Sequence, residues 1–155
     1  MKQLFKPLET VTSLFRSPPK EIGLSPGALV HVGEQKVERP ILSFIDYDAQ
    51  NLSVETDVSL DQCTALAATS TVSWVNLDGL HDISTLQTFG RTFDLHSLLL
   101  EDILNTHQRL KFEEYDNYLY VVLKSLLSED DQFSVAHEQI SLLVLKNMVF
   151  AFKEK

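Results

Sequence analysis

Leu119-Tyr120-Val121-Val122-Leu123 is an unbroken apolar run bounded by polar residues, and Ile140 to Leu145 is nearly as apolar. Successive side chains of a β-strand point to opposite faces, so a strand that is apolar throughout needs cover on both. This supports a sheet held between two helical layers rather than an open sheet with one wet face. The rest of the chain supplies candidates for both parts. Ala28 to Val32, Val37 to Tyr47 and Leu52 to Thr56 read as strands, separated by turns at Gly33 to Lys36 and Asp48 to Asn51. Pro40 places the second of them at an edge or a bulge. Leu60 to Ala68 reads as a helix capped by Ser59. Thr71 to Leu77 is β-rich, with Val72, Trp74 and Asn76 on one face.

Asp82 to Phe93 follows as an amphipathic helix with Ile83, Leu86, Phe89 and Phe93 on one stripe. Gly90 inside it costs about 1 kcal/mol against Ala, and close packing is the expected reason for it. Leu95 to Leu104 is a further helix. Three strands are expected after it, over 111–127, 133–145 and 149–153, joined as a meander by Glu129-Asp130-Asp131 and Lys146-Asn147. Strands at both ends with helices between them give an α/β fold class, a mixed sheet sandwiched between helical layers.

A chain of 155 residues suits one domain. Its 22 acidic and 13 basic residues give a formal net charge of −9. That balance disfavours nucleic acid and anionic membrane surfaces, which attract positive patches, and favours cations. Cys63 is the single cysteine and forms no internal disulfide. The longest apolar run falls far short of the roughly 20 residues that a spanning helix needs, and the N-terminus lacks the apolar core of a secretory signal. Residues 1–23 read as a flexible arm, in which Leu4, Phe5, Leu8, Val11, Leu14 and Phe15 recur at helical spacing before Pro18-Pro19. An amphipathic arm touching a membrane or a neighbouring subunit is the alternative reading. The folded domain is expected over 24–155.

No HExxH, CxxC, P-loop, nucleophile elbow or dinucleotide fingerprint is present. His31, His81, His96 and His137 are scattered. The pair Glu101-Asp102 lies on the helix ending at Leu104, with Leu98, Leu99 and Ile103 as its buried stripe. Adjacent helical residues point about 100° apart, so the two carboxylates do not converge on one small ion inside one subunit. Periodicity alone makes them solvated surface groups.

The segment 98–124, LLLEDILNTHQRLKFEEYDNYLYVVLK, closely resembles the signature of the cytosolic N-terminal domain of CorA-type magnesium/cobalt transporters. That family pattern runs L-x-L-E-D-I-L-N-x-H-Q-R-P-K-x-E-x-x-x-x-Y-x-F-x-V-L-K. Asn76 to His81 (NLDGLH) and Glu138 to Leu142 (EQISL) are similar to further family segments. Leu110 stands where the family has proline. The likeness extends from about Leu24 to Lys155 and is dense from Trp74 onward.

The resemblance implies a regulatory, metal-sensing domain rather than an enzyme. It sits at the cytoplasmic face of the cell membrane and joins the membrane only through a part that follows Lys155. It also implies a homo-oligomer, a pentamer in the full-length family. In that assembly the residue matching Asp102 faces a carboxylate on the next subunit's stalk helix across a divalent cation, and the one matching Glu101 serves a second site nearby. Glu101 and Asp102 are therefore the metal-site candidates, for weakly bound Mg2+, with Co2+ or Zn2+ as alternatives. His107 is expected to cap the preceding helix and Arg109 to pair with a carboxylate. The rival readings are a zinc-transporting relative of the same family, a free-standing α/β metal-dependent enzyme, and an interaction module without ion dependence. An enzyme of this kind would need a pocket with converging carboxylates and histidines.

Overall fold

The computed structural model describes residues 27–128 and 135–155. The arm expected over 1–23 lies outside the described residues. Seven strands form one sheet: β1 (Ile41–Tyr47), β2 (Leu52–Thr56), β3 (Val72–Asp78), β4 (Lys111–Glu114), β5 (Leu119–Ser128), β6 (Val135–Val144) and β7 (Met148–Lys153). Their spatial order is β2-β1-β3-β7-β6-β5-β4. Neighbours are antiparallel except β3 and β7, which run parallel from Ser73↔Met148 to Asp78↔Lys153. Three helices complete the described fold: α1 (Leu60–Leu66), α2 (Ile83–Thr92) and α3 (Ser97–Leu104). The fold class is α/β with a mixed sheet.

The helices start where their caps dictate. Ser59 caps α1 in a reciprocal box with Gln62. The Asp82 carboxylate accepts the Ser84 N–H at the head of α2, and His96 Nδ1 accepts the Leu98 N–H at the head of α3. Their apolar sides join one sheet face in a single core. Leu42, Phe44, Val75, Leu77, Phe150, Phe152, Leu143, Tyr120 and Val122 meet Cys63, Leu86, Phe89, Leu99, Ile103 and Leu104, all at 9% exposure or less. Phe89 sits edge-on to both Phe150 and Phe152, with ring centroids 4.6 and 5.3 Å away. Gly90 has the expected use: a Cβ there would collide with the Leu100 side chain, so the glycine lets α2 lie against α3. Burial pushes the Cys63 thiol up to about 11, which suits a small apolar core residue.

The opposite sheet face is apolar too. The register aligns Val54, Ile45, Trp74 and Val149 across four strands, and Leu142, Val121 and Phe112 across three more. Yet Val54, Trp74 and Phe112 remain 62%, 39% and 64% exposed, because the described helices pack on the other face. The expected cover on both faces is thus met on one side by the described residues.

Four expectations from the sequence shift. Ala28 to Val32 is not a strand; Val32 alone makes a parallel bridge with Asn105. Its N–H donates to the Leu104 carbonyl at 2.9 Å and its carbonyl accepts the Thr106 N–H at 3.0 Å, so the segment caps the α3 C-terminus. Pro40 lies just before β1, and β1 is interior, paired with β2 on one side and β3 on the other. On β3 the buried side chains are Ser73, Val75 and Leu77; Val72 and Trp74 take the other, exposed face. The single strand expected over 111–127 is a hairpin of β4 and β5, closed at Asp116-Asn117 by a Tyr115 N–H to Tyr118 carbonyl bond of 2.9 Å.

Candidate functional site: the α3 carboxylates and the β4 edge

Helix α3 buries Leu99, Leu100, Ile103 and Leu104, while Leu98 is 45% exposed. The buried stripe is displaced from the expected one, and Glu101 and Asp102 are turned from open solvent to the flank of the helix, where both are half-buried. Each finds partners within the chain. Glu101 Oε2 accepts the Gly27 N–H at 2.8 Å and so fastens the start of the described chain onto α3. Asp102 reaches the other way, toward the edge strand β4. Its Oδ1 accepts from Gln108 Nε2 at 2.6 Å and its Oδ2 from Lys111 Nζ at 2.6 Å. The two carboxylates do not converge, as the helical angle requires.

Lys111 and Glu113 stand two residues apart on β4, so they share the sheet face that α3 covers. The Lys111 ammonium also lies 3.2 Å from Glu113 Oε1, and Tyr115 Oη donates to Glu113 Oε2 at 3.1 Å. One ammonium therefore bridges a helix carboxylate and a strand carboxylate, 5.1 Å from the centre of the Tyr120 ring. Burial pulls the lysine pKa down, but the hydrogen bonds to Asp102 and Glu113 outweigh it and leave it raised, so the ammonium keeps its charge. The Tyr115 hydroxyl is pushed up to about 12, first by burial and then by its bond to Glu113. Tyr115 and Tyr118 stack with centroids 4.6 Å apart and hold the hairpin that carries the strand pair.

Lys111 and Glu113 are the residues that sequence reasoning passed over. The K-F-E-E alternation of β4 was the available signal, since it puts Lys111 and Glu113 on one face. Arg109, expected to pair with a carboxylate, is exposed and makes no ion pair among the described residues; Lys111 fills that role. The His107 N–H donates to Asn105 Oδ1 at 3.1 Å, while the helix C-terminus is capped by the Val32 backbone. Burial first, then the nearby Lys124 and His137 charges, lowers the His107 pKa. Gln139 ties β6 to the same corner by donating to the Asn105 carbonyl at 2.9 Å. His31 Nε2 meets the buried Glu154 Oε1 at 2.5 Å, and His96 is a helix cap.

Among the described residues, no three His, Cys, Asp or Glu side chains gather closely enough to hold a metal ion. An open cleft of about 420 Å³ between α2 and α3 is lined by residues such as Gln87, Arg91, Asp94 and Ser97, and contains neither Glu101 nor Asp102 nor a histidine. The corner presents carboxylate oxygens, and the Lys111 ammonium lies 2.6 Å from Asp102 Oδ2.

The family model described as CorA-like Mg2+ transporter protein matches residues 69–155, a span that includes β3 through β7. The cobalt/magnesium transport protein CorA of Thermotoga maritima is 35% identical over 133 residues, which cover 86% of this chain. The chain belongs to the CorA-like family. It spans 38% of the length of the Thermotoga maritima relative. Both the family model and the Thermotoga maritima relative are named for transport. The solved structure of the full-length CmaX protein aligns at a TM-score of 0.58 with 12% identity, covering 79% of this chain and 37% of its own, a likeness of fold alone. The soluble domain of CorA from Methanocaldococcus jannaschii aligns at 0.46 with 11% identity, covering 70% of this chain and 39% of its own. No described helix is long and apolar enough to cross a membrane.

Proposed function

We propose that this chain is the metal-sensing, regulatory domain of a CorA-like divalent-cation transport protein, with residues 24–155 as the domain at the cytoplasmic membrane face and 1–23 as an arm before it. The observation that supports the reading best is Asp102, a half-buried carboxylate at the sheet edge that holds a cation, the Lys111 ammonium, 2.6 Å away. Asp102 faces a neighbouring subunit of a homo-oligomer, a pentamer as in the family, whose own carboxylate completes the site. Two carboxylates across an interface repel; a divalent ion between them removes the repulsion and holds the subunits together. The ion biases the transport path only through its different affinity for the two arrangements. Among the described residues Asp102 has amide and ammonium partners and no thiol or imidazole, a setting that favours Mg2+ or another oxygen-seeking ion over Zn2+. Glu101, engaged by the Gly27 N–H, is the weaker candidate and serves a second, nearby site.

The test is protease protection of the full-length gene product across a Mg2+ titration. Asp102→Ala is expected to raise the midpoint by about fivefold or more, the lower end of ordinary coupling between sites. Asp102→Lys should remove protection. Wild-type midpoints in both variants would take Asp102 out of the sensor.

A further inference from the structure

We infer that Lys111 is a tethered competitor for the cation at Asp102, and that Glu113 is the carboxylate that receives its ammonium when the ion binds. The inference rests on the sensor reading and concerns how that sensor's threshold is set.

Both oxygens of Asp102 are already engaged, by Gln108 at 2.6 Å and by Lys111 at 2.6 Å. Each oxygen keeps lone-pair capacity, but an ammonium 2.6 Å from Oδ2 repels an incoming dication, so a divalent ion and Lys111 compete for this carboxylate. Lys111 is the donor with somewhere to go, because its Nζ is already 3.2 Å from Glu113 Oε1. A small rotation near the end of the side chain transfers the ammonium wholly to Glu113 and frees Asp102 Oδ2. Glu113 is held ready for this by the Tyr115 hydroxyl on its second oxygen. The hand-over also removes a conflict of charge. An ammonium left on Asp102 would repel the incoming dication; on Glu113 it is neutralised.

Two consequences follow from the competitor being part of the chain. Its local concentration is fixed, so the apparent affinity for the ion is the intrinsic affinity scaled by the fraction of time that Asp102 is open. The site is thereby weakened, as a sensor for an abundant ion must be if it is to empty when the ion is scarce. A monovalent ion gains little by replacing one positive charge with another, whereas a dication doubles the Coulomb attraction to the same carboxylate. Lys111 thus sets a threshold and also screens out monovalent cations.

The experiment is the same Mg2+ titration of protease protection on the full-length protein, with four variants. Removing the competitor in Lys111→Gln should lower the Mg2+ midpoint by roughly two- to fivefold, the range set by the strength of a partly exposed ion pair. Glu113→Gln, which leaves the ammonium no second partner, should raise it by a similar factor. Lys111→Arg keeps the charge and should stay nearer the wild type than Lys111→Gln. Opposite shifts from Lys111→Gln and Glu113→Gln support the hand-over, since a merely structural pair would move both midpoints the same way. A midpoint unchanged or raised in Lys111→Gln, or Lys111→Arg behaving like Lys111→Gln, overturns it. Asp102→Ala separates the two levels: if it shifts the midpoint and Lys111→Gln does not, the sensor stands and the competitor falls; if it shifts nothing, the sensor reading fails first.

Discussion

The two faces of the sheet are alike in composition and unlike in fate. On one, Val75, Leu77, Phe150 and Phe152 are at 2% exposure or less beneath α1, α2 and α3. On the other, Val54, Leu52 and Phe112 stand at 62%, 70% and 64% exposure in strands of the same sheet. The difference teaches that apolar residues at period two declare a face but not its cover. Cover depends on where the connections travel, and the described β2–β3 and β3–β4 connections both place their helices on the same side. The candidate site lies at the seam of this arrangement, where the last turn of α3 on the packed face reaches the edge strand β4.

Substitutions can break or sharpen that contrast. Phe89→Ala removes the ring that meets Phe150 and Phe152, and should cost about 3–5 kcal/mol in urea or thermal unfolding. A loss under about 1 kcal/mol would mean that the helical layer is not tightly packed on the sheet. Valine to threonine, close in shape, can then be made on each face. Val75→Thr buries a hydroxyl at a 1% exposed position and should cost about 1–3 kcal/mol. Val54→Thr, at 62% exposure, should stay within about 0.5 kcal/mol. Equal costs at the two positions would show that both faces are covered to the same degree in solution. The smallest effect concerns the head of α2. Hydrogen bonds from Ser84 and Thr85 hold the Asp82 carboxyl below the usual carboxylate range. The charged cap is fully present above the unfolded carboxyl pKa of about 3.9 and is lost as pH falls through the lower folded value. Asp82→Ala should therefore destabilise by about 1 kcal/mol at neutral pH, and the gap to the wild type should narrow below about pH 4. A gap that is constant from pH 7 to 3 would show that the carboxylate charge adds nothing to the cap.

Much of the fold was legible because its signals are local. Ser59 and Asp82 mark helix starts, the stripe Leu86 and Phe89 marks a buried helix side, and Gly90 marks a close approach. The turn at Asp116-Asn117 was equally local and was overrun by reading Lys111 to Leu127 as one strand. The site was legible by halves. Asp102 could be singled out, but its partner depends on β4 turning back beside α3, and no spacing along the chain reveals that Lys111 rather than Arg109 arrives there.

The sequence by itself determined the α/β class, the Ser59 cap, the apolar alternation of the strands and the divergence of Glu101 from Asp102, since each follows from backbone geometry over a few residues. Only the tertiary structure decided which sheet face the helices cover, that Val32 ends α3 instead of beginning the sheet, and that a lysine already sits on Asp102. Those outcomes depend on contacts between residues far apart in the chain, where packing and charge neutralisation select among partners that local propensity leaves equivalent.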